Sequence, residues 1–121
     1  MVIRGNILQK LILILCKDKE SLRQYKEQIV RDLLDSGFDF IKNRENYIQL
    51  KAGTRIDFAY PQETFIGQRY DEFCIEEGVD KRMYEVLSPM LIRYGNMCIF
   101  NDINSLYLRT NQNIKEYFKE N

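Results

Sequence analysis

The sequence predicts an α/β fold, a single compact domain in which helices pack on a mixed β-sheet. Three observations lead there. Leu11–Cys16 is an unbroken run of leucine and isoleucine closing on a cysteine and bounded by charge, the pattern of a strand covered on both faces. Leu22, Tyr25, Ile29, Val30, Leu33 and Leu34 then recur at mostly three- and four-residue spacings, which is a helical stripe. Tyr47–Leu50 and Arg55–Ala59 are two short strand-like segments around Lys51-Ala52-Gly53-Thr54, a compact turn. The 121 residues, 45% hydrophobic with 8 tyrosines and 7 phenylalanines, suit one core and one domain spanning 1–121.

The elements follow in order. After Leu11–Cys16, Ser21 is placed to cap a helix over Ser21–Ser36, with Arg23, Lys26, Glu27, Arg31, Asp32 and Asp35 on its polar face and Gly37 at its end. Phe38–Ile41 reads as a short strand and Asn43–Asn46 as a polar break. In Arg55–Ala59, Ile56 and Phe58 face one way while Arg55 and Asp57 face the other; Pro61 ends the strand, and Gln62–Gln68 reads as a loop. Phe73-Cys74-Ile75 is a buried strand leading into Glu76-Glu77-Gly78. Asp80 caps a helix carrying Tyr84, Leu87 and Leu91, which must kink at Pro89 or end near Leu87. Met97–Phe100 and Leu106–Leu108 read as strands, and Thr110 as the cap of a last helix bearing Ile114, Tyr117 and Phe118.

Composition narrows the function classes. Lys+Arg and Asp+Glu are both 18, so the formal net charge is zero. Charge therefore gives no support to nucleic-acid binding, which draws much of its affinity from counterion release. With no histidine, imidazole catalysis and His-based zinc sites are excluded. Cys16, Cys74 and Cys98 are odd in number and widely spaced, and read as buried thiols in a reducing compartment rather than a disulfide scaffold. The Leu11–Cys16 run is followed by Lys17, Asp18, Lys19 and Glu20. It is too short for a leader's apolar core or a membrane span, so a cytoplasmic protein is expected.

Phe73-Cys74-Ile75-Glu76-Glu77 resembles a Walker B segment, an apolar strand that ends in acids beneath a nucleotide. Together with Ile48–Phe58, the Gly67-Gln68-Arg69-Tyr70-Asp71 stretch and the Leu11–Gly37 strand and helix, it resembles the ATPase half of phage terminase large subunits over roughly residues 10–92. The resemblance implies a shortened P-loop-NTPase-like core of phage or mobile-element origin. It also implies Glu76 as the metal-side acid, Glu77 as the catalytic glutamate, and Arg69 in a loop approaching phosphates. The chain departs from the family at one element: Arg4-Gly5-Asn6-Ile7-Leu8-Gln9-Lys10 lacks the Gly-Lys-Ser/Thr ending of a phosphate-binding loop.

Three functional readings follow. The first is a non-enzymatic protein-binding module acting with a protein partner or as a homo-oligomer, with no cofactor. The second is a nucleotide- and Mg²⁺-dependent subunit, ATPase-like or nuclease, using Glu76 and Glu77 and completed by another chain; ATP and Mg²⁺ belong to this reading alone. Asp57 joined to Glu72, Glu76 or Glu77 is its metal set, with Lys81 as the available lysine. The third is a nucleic-acid-binding module using Tyr47 and Tyr60 beside Arg44 and Arg69 as stacking surface.

Overall fold

A computed structural model describes residues 11–51, 53–61, 69–87, 89 and 91–110. The chain runs β1 (Leu11–Leu15), α1 (Lys19–Asp35), β2 (Phe40–Asn43), β3 (Tyr47–Leu50), β4 (Arg55–Ala59), β5 (Tyr70–Glu76), α2 (Arg82–Leu87), β6 (Leu91–Phe100) and α3 (Ile103–Thr110). Among the described residues the sheet is mixed, with six strands in the order β2-β3-β4-β1-β5-β6. β2, β3 and β4 form an antiparallel meander, whereas β1 is parallel to both β4 and β5, and β6 is parallel to β5.

β1 takes an interior place because it is apolar on both sides. Ile12 and Ile14 enter one core with Leu22, Ile29 and Leu33 of α1 and Leu106 of α3. Leu13 and Leu15 enter the opposite core with Ala59, Phe73, Ile75 and Val79, against which Met83 of α2 packs. Helices thus contribute to both faces, α1 and α3 to one and α2 to the other.

α1 begins two residues before the sequence suggests. Asp18, not Ser21, is the N-cap, and its carboxylate accepts the Ser21 N–H at 2.8 Å. At the other end Phe38 N donates to Leu33 O and Gly37 N to Leu34 O, the paired bonds of a Schellman ending; Gly37 supplies the required φ of 88°. Leu34, expected on the buried stripe, is 54% exposed. It lies about 120° around the helix from Leu22, beyond the width of the stripe that faces the sheet.

Later elements depart further from expectation. The first short strand is Phe40–Asn43 rather than Phe38–Ile41, because Phe38 is used by the helix ending and Ile41 falls in a register irregularity between Phe40 and Lys42. Asp80 does cap α2, accepting Arg82 N at 2.9 Å, and the helix stops at Leu87 ahead of Pro89, so Leu91 belongs to a strand. Leu106–Leu108 is helical, not extended. Asp102 and Ser105 form a reciprocal cap, Ser105 N donating to Asp102 Oδ1 (2.7 Å) and Asp102 N to Ser105 Oγ (3.1 Å), which starts α3. Thr110 lies within α3 as its last described residue, not as the cap of a further helix; Ile114, Tyr117 and Phe118 lie outside the described residues.

Candidate functional site

In sheets of this kind ligands bind beyond the carboxyl ends of the parallel strands, where successive connections leave in opposite directions. Here that point lies between β1 and β5. β1 exits through α1 toward the β2–β3–β4 side, and β5 exits toward β6 on the other. Leu15 is level with Ala59 and Ile75, so the next residues, Tyr60, Cys16 and Glu76, line the rim, with Phe100 level with Glu76.

Glu76 reaches this rim because Phe73-Cys74-Ile75 anchors β5 in both cores and strand alternation turns position 76 to the α1 side. Its residue is only 5% exposed, and Oε1 accepts the backbone N–H of Lys17 at 2.8 Å. Asp18 occupies a second amide of the same turn, that of Ser21. Two carboxylates therefore hold amides at the start of α1, where the helix dipole favours an anion.

The neighbours of Glu76 hold their protons. Burial, then the charges of Glu76 and Asp18, push the Cys16 thiol far above its ordinary range. Burial and Glu76 likewise push Tyr25 up to about 12. Cys16 is thus a protonated thiol at neutral pH, not a nucleophile.

Glu77 stands exposed at the lip, its N–H donating to Phe100 O at 2.7 Å. The chain then turns, with Val79 N donating to Glu76 O (3.3 Å) and Gly78 at φ 104° supplying the left-handed position.

The other candidate residues lie elsewhere. Asp57 sits on the opposite face of the sheet, in the middle of β4, level with Leu13. Tyr70 donates to its Oδ2 and Arg55 Nε to its Oδ1, both at 2.6 Å, and the Arg55 guanidinium lies 4.0 Å over the Tyr47 ring. Burial, then the bond to Asp57, raises the Tyr70 hydroxyl well above its usual range. Asp57 is thus buried and paired with Arg55, not placed with other carboxylates as a metal set. Arg69 is exposed just ahead of the amino end of β5, about 23 Å along the strand direction from Glu76. Glu72 is buried on β5 four residues before Glu76, roughly 13 Å away. Lys81 is exposed just ahead of α2. Of the expected stacking surface, Tyr47 is already covered by Arg55.

Glu76 and Glu77 are therefore brought to one rim, while Asp57, Glu72 and Arg69 are not brought to it. Among the described residues no group of three acid or thiol side chains is disposed to hold a metal ion. As folded, the β1–α1 turn does not fit a nucleotide phosphate, because Glu76 already takes the Lys17 amide. Sequence reasoning missed this amide as the partner of Glu76 and Tyr70 as the partner of Asp57. The placement of Tyr70 beside the acidic stretch offered the only signal. Compared with known proteins, the chain matches no protein-family model and no curated protein.

Proposed function

We propose that this chain is a non-enzymatic protein-binding module of phage or mobile-element origin, related to a terminase-type ATPase and not active as one. The observation that carries the non-enzymatic part is the 2.8 Å bond from Lys17 N to the buried Glu76 carboxylate. In the ATPase role, this acid would serve a metal and the turn at β1 would be open to phosphate. Here each satisfies the other. Binding to a protein is supported by two exposed large apolar side chains on either side of the Gly37 turn, Leu34 on α1 and Ile41 on the edge strand β2.

Calorimetric titration of Mg²⁺·ATP into the purified chain tests this reading. No saturable heat is expected, either for the chain itself or for Glu76→Gln/Glu77→Gln. Micromolar binding that the double substitution alters would overturn it.

One observation favours a second reading, the nucleotide- and Mg²⁺-dependent subunit completed by another chain. Glu76 ends β5 and Glu77 follows it at the switch point of the sheet, the place where α/β folds bind ligands. Under this reading the other chain supplies the phosphate cradle and draws Glu76 away from Lys17. Nucleotide binding would then appear only in the presence of that chain.

A further inference from the structure

Cys74 on β5 and Cys98 on β6 are register partners in a parallel strand pair. Neighbouring strands are spaced by about 4.8 Å, within the roughly 4.4–6.8 Å that separates the Cα atoms of disulfide-bonded cysteines. Level residues of parallel neighbours point to the same face. Both thiols lie on the α1 side, Cys74 within the core cluster and Cys98 packed against it. Neither is in a disulfide; Cys74 is buried, whereas Cys98 is partly open to solvent. Cys16 is set apart, two positions beyond Ile14, the β1 partner of Cys74. Strand spacing and rise place its Cα about 8 Å from that of Cys74, outside the disulfide span.

We propose that Cys74 and Cys98 form a reversible dithiol–disulfide site whose oxidant is a low-molecular-weight disulfide of the glutathione class. The thiolate of Cys98, the accessible member, attacks one sulfur of the small disulfide. The S–S bond of the oxidant breaks and one small thiolate leaves, so that Cys98 carries a mixed disulfide. Cys74, having lost its proton to water, attacks Cys98 Sγ and expels the second small thiolate. The protein loses two hydrogens, and the oxidant is reduced to two thiols, which take up the two protons.

Contact with Cys98, followed by burial, raises the Cys74 thiol well above its ordinary range, which makes the second step the slow one. Level side chains on parallel strands also hold their Cβ atoms about one strand spacing apart, wider than the ~3.5–4.5 Å of a relaxed disulfide. The product is strained and easily reduced. Cys74 and Cys98 each lie two residues before the rim pair Glu76 and Phe100, so the bond ties β5 to β6 directly beneath Glu76 and Glu77.

The test incubates the full native chain with glutathione disulfide, alkylates under denaturing conditions and maps the peptides by mass spectrometry. Two of the three thiols should be lost to alkylation, in a single peptide pair joining Cys74 to Cys98, and excess reduced glutathione should restore both. Cys98→Ser should abolish the reaction, and Cys74→Ser should stop it at a mixed disulfide on Cys98. The wild-type map needs neither variant to fold. Three alkylatable thiols after incubation, a lasting mixed disulfide on Cys98, a bond to Cys16 or a bond between chains would each overturn the proposal.

Discussion

The hydroxyl of Tyr107 donates to Asp32 Oδ2 at 2.5 Å, fastening α3 to α1 across 75 residues of sequence. The two helices cover the same face of the sheet, where the Tyr25 ring of α1 also meets Phe100 of β6 edge-on at 5.0 Å. Burial and the Asp32 carboxylate push the Tyr107 hydroxyl far above the ordinary tyrosine range.

That shift fixes a pH dependence. Tyr107, Tyr70, Tyr25 and Cys16 all have folded-state pKa values raised above those of the unfolded chain. Between the unfolded and folded values the folded state binds more protons, so stability falls as pH rises. The contribution is full below about pH 8.5, where the unfolded thiol begins to ionise, and the decline steepens above about pH 10 as unfolded tyrosines follow. Urea midpoints measured from pH 7 to 11 should show this decline. Tyr107→Phe should lower stability at pH 7 by about 1.5–3 kcal/mol, the range for a hydrogen bond to a charged group, and should flatten the alkaline fall.

Asp57 and Tyr70 should behave as one unit. Tyr70→Phe leaves Asp57 with Arg55 alone, and Asp57→Asn weakens both contacts. Each is expected to cost about 1–3 kcal/mol. The double substitution should cost less than the sum, with a coupling of at least about 0.5 kcal/mol in a denaturation cycle. Strict additivity would separate the two residues.

Gly37 is held by conformation and not by space. A Cβ there would meet no atom within 4 Å, yet φ is 88°. Gly37→Ala should therefore cost about 1–2 kcal/mol through backbone strain. At the other end of α1, Asp18→Ala should cost about 1 kcal/mol through loss of the cap. Thermal melts of the two variants and their combination should be nearly additive, since they act at separate ends of one helix.

How much of this was legible follows from the reach of each interaction. β1 and the body of α1 could be read because their signals are local: Leu11–Leu15 is apolar at every position, and Leu22, Ile29 and Leu33 share one face. Leu106–Leu108 reads as a strand because Leu-Tyr-Leu suits one, whereas the Asp102–Ser105 cap, which begins four residues before Leu106, decides for a helix. Alternation in β4 placed Asp57 opposite Ile56 correctly. It could not show that a second core, with Tyr70 in it, covers that face. The Glu76–Lys17 bond spans 59 residues and depends on β5 lying beside β1 in one register, which no short window of sequence reports. The Cys74–Cys98 pairing was hidden in the same way, behind the register of β5 and β6.

The central claim is that Glu76 is a structural lock on the β1–α1 turn. Urea unfolding of Glu76→Ala and Glu76→Gln tests it most directly. A lock predicts a loss of about 1–3 kcal/mol for alanine, which leaves the Lys17 amide without its acceptor, and a smaller loss for glutamine, whose carbonyl can still accept. If both variants stay within about 0.5 kcal/mol of the parent, as surface substitutions do, Glu76 is not a lock and the account fails.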